Sequence, residues 1–104
     1  MLVKAGAQLN AQNDHKSTPL HEAVFYGHED IVRLLIDEYA DLNAKNDELN
    51  TPMHFAAHSG NLKVAELLEE QGADLTAINK AGRTPQQEAE NAGKMNVAEW
   101  LANQ

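Results

Sequence analysis

Residues 18–47 read TPLHEAVFYGHEDIVRLLIDEYADLNAKND, and the order of residue types in this stretch decides the fold. Thr18 can cap a helix because its hydroxyl accepts a hydrogen bond from a backbone N–H that has no helical partner. Pro19 suits the first helical position, where a missing N–H costs nothing. Gly27 ends this first helix, since glycine tolerates the left-handed conformation that often follows a helix. The stretch therefore begins with one short helix.

A second helix is predicted directly after the glycine. Glu29 and Asp30 suit a helix amino terminus because their negative charges interact favourably with the helix dipole. The apolar residues that follow recur at helical spacing and form one stripe: Ile31, Val32, Leu34 and Leu35. This helix ends before Ala40, and a polar connector over 42–47 leads to the next threonine.

The same pattern returns at a spacing of 33 residues. Threonine-proline pairs stand at 18–19, 51–52 and 84–85. The same offset relates three asparagines, three glycines and three leucines: Asn13, Asn46, Asn79, Gly27, Gly60, Gly93, Leu35, Leu68 and Leu101. Chance does not place so many matched positions at one offset, so the chain is an array of repeated helix pairs.

These motifs resemble the ankyrin repeat. The resemblance rests on the threonine-proline-leucine-histidine start at 18–21, the glycine within each unit, the leucine pair and the glycine-alanine-aspartate-leucine close at 72–75. It covers the whole chain and implies an all-α solenoid of stacked helix-turn-helix units with β-turn or hairpin connectors. We predict a single ankyrin-repeat domain over 1–104, made of a partial repeat, two repeats and a capping repeat: 1–12, 13–45, 46–78 and 79–104.

The two ends of the array differ. Met1 aligns with the middle of a second helix, so the first unit lacks its inner helix. An open end is costly because a repeat buries its apolar face only against its neighbours. We expect either a fragment of a longer array or an amino end covered by another chain; the alternative is a true start with a tolerated frayed end. At the other end, polar residues predict the outer face of a capping repeat: Gln86, Gln87, Glu88 and Glu90.

Composition narrows the class of partner. The net charge of −8 makes nucleic acid an unlikely match, because an acidic surface repels phosphate. No apolar run is long enough to span a bilayer and no signal-peptide layout is visible, so no membrane partner is expected. The absence of cysteine excludes disulfides and thiolate chemistry and fits a reducing compartment. We therefore expect an intracellular, cytoplasmic protein.

The resemblance also implies where a partner protein would bind. Partners of ankyrin repeats usually contact the turn tips and the concave face of the first helices. Mapped onto this chain, the partner-binding candidates are Asp14, His15, Ser17, Phe25, Tyr26, Asp47, Glu48, Asn50, His58, Ser59, Lys80 and Arg83. Phe25 and Tyr26 are the best anchors, because the repeat does not demand apolar residues there and exposed rings give a large contact area. The alternative is that one ring packs on the neighbouring unit.

The charges of the tips predict the chemistry of that partner. Asp14, Asp47 and Glu48 make the first two tips acidic, whereas Lys80 and Arg83 reverse the sign in the last unit. A partner with a basic or mixed basic-apolar segment would complement the acidic tips. The alternative is an ordinary solvated charged surface.

The histidines are predicted to be structural. His21 and His54 occupy the motif position at which the imidazole of the family bonds backbone groups near the turn. His54 and His58 have a spacing that can bind a metal, but no third ligand is indicated and the glutamate of a metalloprotease motif is missing. We predict no metal and no cofactor.

Two turns depart from the family pattern. Lys16 and Leu49 stand where the turn commonly has glycine, as it does at Gly82. Either these turns adopt a different geometry or they carry strain, because a side chain at positive φ costs free energy. Leu49 would also expose an apolar side chain at a tip, which makes it a second candidate contact.

The leading functional hypothesis is a non-catalytic protein–protein interaction module. An enzyme is not predicted, because the chain lacks a phosphate-binding loop, a dinucleotide-binding motif, a G-x-S-x-G elbow and a cysteine nucleophile. A further alternative is a structural spacer, or a fragment that self-associates through its open amino end. In that case it would belong to a larger ankyrin protein whose activity lies in another domain.

Overall fold

The computed structural model describes residues 10–104. The open amino end predicted from Met1, and most of the partial repeat predicted at 1–12, lie outside these described residues. Within them the chain forms three helix pairs and no strand: α1 (Pro19–Phe25) and α2 (Glu29–Asp37), α3 (Pro52–Ser59) and α4 (Leu62–Glu70), α5 (Pro85–Asn91) and α6 (Met95–Ala102). The predicted all-α solenoid is confirmed.

The first helix of each pair begins with the same cap. Thr51 lies in the extended conformation, and its hydroxyl oxygen accepts a hydrogen bond from the backbone N–H of His54. The Nδ1 of His54 in turn accepts from the backbone N–H of Thr51 at 3.0 Å, which completes a capping box. In the last unit Gln87 replaces the histidine, and its Oε1 accepts from the backbone N–H of Thr84 at 3.0 Å. The predicted threonine caps are confirmed, and each satisfies two backbone donors.

Stacked helices form one continuous core. The inner helices α1, α3 and α5 pack against one another in chain order, and the outer helices α2, α4 and α6 do the same. Large apolar side chains between the two layers are fully buried: Leu20, Leu35, Met53 and Leu68. Ala56 and Ala57 are also fully buried, so small side chains fill the space between close helices. The low aromatic content of the sequence suits this packing.

An asparagine organises each turn tip. The Oδ1 of Asn46 accepts from the backbone N–H groups of Glu48 and Asn50, at 3.0 Å in each case. The backbone of Asn46 also bonds that of Asn50 at 3.1 Å, which closes the tip. Neighbouring tips are joined as well, since the backbone N–H of Asp47 donates to the carbonyl oxygen of His15 at 2.9 Å. The repeated asparagine therefore holds the shape of the tip, and a backbone hydrogen bond between tips holds their spacing.

The two turns without glycine follow the second of the predicted alternatives, a side chain at positive φ. Lys16 and Leu49 adopt φ angles of 62° and 58°, in the same left-handed region as Gly82 at 78°. These turns therefore keep the glycine geometry instead of adopting another. Sequence analysis missed a third case, Tyr39, with φ of 64°. The signal was available, because Gly72 stands 33 residues later at the same place in the repeat.

Two buried histidines link one unit to the next. The Nε2 of His21 donates to the carbonyl oxygen of Asn50 at 2.8 Å, and the Nε2 of His54 donates to that of Arg83 at 2.9 Å. Since Nδ1 accepts from a threonine N–H, each ring is the neutral tautomer with its proton on Nε2. Burial lowers the pKa of both rings, although the bonds to carbonyl oxygen act in the opposite direction. The predicted structural role of these histidines is confirmed.

The predicted capping face needs one correction. Gln87 and Glu90 are exposed and Gln86 is partly exposed, as a polar outer face requires. The placement of Glu88 on that face was wrong, because Glu88 is only 9% exposed. Its carboxylate accepts hydrogen bonds from Asn79 and Arg83 of its own unit and contacts His58 of the preceding unit. Trp100 is partly buried against the core.

Candidate functional site

The inner face of the array consists of the turn tips and the exposed sides of α1, α3 and α5. Most of the predicted contact residues are exposed there: Asp14, His15, Phe25, Tyr26, Glu48, His58, Ser59 and Lys80. Three more are partly exposed: Asp47, Asn50 and Arg83. Ser17 is the exception, because it is buried and its hydroxyl accepts from the Nδ2 of Asn46 at 3.4 Å. Ser17 therefore positions the second tip and presents little surface to a partner.

Three aromatic rings form a cluster on the inner face, which we call the aromatic cluster: Phe25, Tyr26 and Phe55. The Phe25 ring meets the Tyr26 ring edge to face at 5.0 Å and the Phe55 ring at 5.6 Å. Phe25 and Tyr26 remain 51% and 63% exposed. Phe25 thus packs on the neighbouring unit, as the alternative interpretation held, and still exposes half of its surface. Both rings have area available for a ligand.

Phe55 was missed as a member of this surface. It stands at the same place in the repeat as Glu22 and Glu88, so the 33-residue offset could have located it. Phe55 also meets the ring of His21 edge to face at 5.4 Å. It therefore connects the aromatic cluster to the buried histidine of the preceding unit.

A groove of about 340 Å³ lies between the first two units, beside the aromatic cluster. The three rings line it together with three carboxylate residues, Glu22, Asp47 and Glu48. No lysine or arginine lines it within the described residues. The nearest basic group is His15, whose Nδ1 lies 3.5 Å from a carboxylate oxygen of Asp47. We call this feature the acidic groove.

A second groove of about 220 Å³ continues from the first towards the last unit. Glu88 lies in it and has three partners: Asn79 Nδ2 at 3.2 Å, Arg83 Nη1 at 3.4 Å and His58 Nδ1 at 3.4 Å. Burial acts to raise the pKa of Glu88, but the hydrogen bonds from these three partners outweigh burial and lower the pKa. Glu88 is therefore an ionised carboxylate whose charge Arg83 already compensates.

Glu22 occupies the corresponding place in the first unit and has a different environment. Asn13 donates to its carboxylate at 2.8 Å through Nδ2. The lining of the acidic groove includes no counterpart of Arg83. Because Glu22, Asp47 and Glu48 share one groove, this part of the inner face has a concentrated negative charge.

A third groove, of about 460 Å³, lies on the amino-terminal side of α1. It is lined by side chains that include Pro19, Ala23 and Ile31. Pro19 is partly exposed, whereas the corresponding Pro52 and Pro85 are buried against the preceding units.

Over 10–104 no three histidine, aspartate or glutamate side chains are grouped so that they could hold a metal ion. None of the six helices has the length and apolarity needed to cross a bilayer.

Comparison with known proteins places this arrangement in a family. A family model described as ankyrin repeats, in three copies, matches residues 1–79. A search of curated proteins finds no match. Beyond the matched range, α5 begins with the same threonine capping box as α1 and α3. Ankyrin repeats are generally protein–protein interaction modules and are typically non-catalytic. This chain belongs to the ankyrin-repeat family.

Proposed function

We propose that this protein binds another protein through its inner face and acts by binding alone. The observation that carries the proposal is the aromatic cluster, in which Phe25 and Tyr26, at the end of α1, stay more than half exposed. Side chains with a large apolar area and few rotatable bonds lose little entropy on binding, and aromatic residues dominate the binding energy of protein interfaces. Rings held by backbone helices also need little ordering when a partner arrives.

The surroundings of the cluster support a partner of mixed character. The rings supply an apolar centre, and the carboxylates of Glu22, Asp47 and Glu48 supply a polar, negatively charged margin. Interfaces commonly have this arrangement of an apolar core and a polar rim. A basic segment with neighbouring apolar residues would satisfy both parts of the surface.

The proposal predicts the outcome of replacing both exposed rings. The double variant Phe25→Ala/Tyr26→Ala should lose most partner capture when the full chain is used as bait in an extract of the cells that make it. Fold stability should fall by about 1–3 kcal/mol, because the rings are half exposed and Phe25 loses two edge-to-face contacts, with Tyr26 and Phe55, each worth about 0.5–1.5 kcal/mol. Quantitative mass spectrometry measures the capture, and urea unfolding measures the stability.

Tyr39→Gly provides a matched control. Tyr39 is an aromatic residue that is 90% exposed and follows the outer helix α2, away from the aromatic cluster. The control should capture the same proteins as the wild type. Equal capture by the wild type and the double variant would show that the cluster is not the binding surface. A collapse of stability in the double variant would show that the rings are core residues.

A further inference from the structure

We infer that the acidic groove binds an arginine side chain of the partner protein. This inference rests on the proposed function and names the group that the inner face recognises. Its basis is one juxtaposition: three aromatic rings and three carboxylates line the same groove between the first two units. The groove thus combines the two kinds of group that bind a cationic side chain.

The dimensions and charges of the groove fit one such side chain. Its volume of about 340 Å³ accommodates a long side chain and part of the backbone that bears it. Phe25 and Phe55 offer apolar surface to the methylene groups, and a cation above an aromatic face gains further attraction. The carboxylates of Glu22 and Glu48 can accept hydrogen bonds from the charged end of the bound side chain.

A guanidinium group suits this groove better than an ammonium group. It is planar, stacks on aromatic faces and has five N–H donors, so it can bond two carboxylates at once. It is also less strongly hydrated than an ammonium group, so it loses less hydration free energy when it leaves water. The groove presents rings and several carboxylates together, which is the combination that exploits these properties.

The acidic groove is favoured over the neighbouring groove at Glu88 because of existing contacts. Arg83 lies 3.4 Å from the Glu88 carboxylate, so a guanidinium of this chain already fills that role in the last unit. In the first two units the corresponding residues before the inner helices are Ser17 and Asn50, which carry no charge. The last unit therefore contains both a carboxylate, Glu88, and an arginine that pairs with it. The first unit contains the corresponding carboxylate, Glu22, without such an arginine.

The test uses short peptides and the full chain labelled with nitrogen-15. The probes are acetyl-Leu-Arg-Leu-amide, the same peptide with citrulline in place of arginine, and the same peptide with lysine. Citrulline has nearly the shape of arginine but no charge. The arginine peptide, titrated to about 5 mM, should give saturable amide shifts around residues 22–26, 47–50 and 55. The citrulline peptide should bind at least about fivefold more weakly, and the lysine peptide should bind more weakly than the arginine peptide.

Charge-removing variants with the same fold provide the control. Glu22→Gln/Glu48→Gln should weaken binding of the arginine peptide by at least about fivefold, while the glutamine at 22 can still accept from Asn13. Glu66→Gln/Glu70→Gln removes the same charge from exposed positions of α4 and should leave binding unchanged. Unchanged circular dichroism and melting temperature establish that all variants fold.

Several results would overturn the inference. They are an absence of saturable shifts, shifts centred on Glu88, citrulline binding as tightly as arginine, or lysine binding more tightly than arginine. The result is separable from the proposed function. If the peptide fails while Phe25→Ala/Tyr26→Ala still abolishes partner capture, the arginine site is wrong and the binding surface stands. If capture survives that double variant, the binding surface itself is wrong, whatever the peptide does.

Discussion

At the scale of single residues, three side chains occupy a backbone conformation that favours glycine. Lys16, Tyr39 and Leu49 have φ angles between 58° and 64°. A non-glycine residue in this region costs about 1–3 kcal/mol and persists only where neighbouring contacts fix it. Asparagine-centred hydrogen bonds do so at the tips, since the backbone N–H groups of Lys16 and Leu49 donate to the carbonyl oxygens of Asn13 and Asn46 at 2.8 Å and 2.9 Å.

Tyr39→Gly and Lys16→Gly should therefore each stabilise the fold. Glycine relieves the strain but has more freedom in the unfolded chain, so the net gain should be about 0.5–1 kcal/mol. Little contact is lost, because Tyr39 is 90% exposed and Lys16 is exposed. Urea unfolding of each variant measures the gain.

Alanine at the same positions distinguishes relief of backbone strain from loss of the side chain. Tyr39→Ala and Lys16→Ala keep a Cβ at positive φ and should gain less than the glycine variants. If alanine stabilised as much as glycine, side-chain loss and not backbone strain would be the cause. That result would show that positive φ at these positions does not destabilise the fold.

Sequence patterns predicted some residue roles and missed others for a physical reason. The threonine caps and the histidines act within a few residues of themselves, so a local motif was sufficient to predict them. Phe55 meets the ring of Phe25 in the adjacent unit, and Glu88 contacts His58 in the adjacent unit as well as Asn79 and Arg83 in its own. Contacts between neighbouring units depend on how those units are oriented against each other. The periodicity shows which positions correspond but does not show this orientation.

At the scale of the helices, the inner helices depend on buried histidines that cap one unit and bond the next. His54 accepts from the N–H of Thr51 and donates to the carbonyl oxygen of Arg83. Both contacts require the neutral ring with its proton on Nε2. Protonation would place a second proton on Nδ1, facing the Thr51 N–H, so it would break the cap.

This arrangement predicts how stability depends on pH. Burial holds the pKa of His21 and His54 below the ordinary value of 6.5. Below that value the unfolded chain binds more protons than the folded chain, so the free energy of unfolding falls as pH decreases. The slope can reach about 1.4 kcal/mol per pH unit for each ring. Urea unfolding at about pH 7.5 and about pH 5 measures the loss.

His54→Gln is the matched variant. Gln87 shows that glutamine can make the same cap in this array. The variant should lose about 1 kcal/mol at neutral pH, because the bond to Arg83 is absent, and its stability should depend less on pH than that of the wild type. An unchanged pH dependence would mean that His54 does not titrate on unfolding as described.

At the scale of the whole molecule, the repeat separates the side chains that stabilise the fold from those that are exposed on the inner face. Many of the residues that match at the 33-residue offset fill the core and the caps and are buried, as Leu35 and Leu68 are. Residues that break the pattern are concentrated on the inner face, where Phe55 replaces a glutamate and Phe25 and Tyr26 are exposed. The divisions between units at 46 and 79 stay predictions, although both fall at the asparagines that organise the tips.

Glu22, Asp47 and Glu48 line the acidic groove without a lysine or arginine among the described lining residues, so the two ends of the inner face differ in charge. Negative charge lies beside the first two units, whereas Arg83 compensates Glu88 in the last one. A partner with a basic segment would therefore orient with that segment at the amino-terminal half of the array. Sequence periodicity could predict which positions lie on the inner face, but it could not predict the contacts among their side chains.

Photo-cross-linking from defined positions shows which face of the array meets a partner protein. A benzoylphenylalanine placed at Tyr26 lies on the inner face, and one placed at Glu66 lies on the outer helix α4. Irradiation of the full chain in an extract of the cells that make it should give a covalent adduct with a partner protein from position 26 and none from position 66. Adducts formed from position 66 and not from position 26 would contradict an inner-face interaction module.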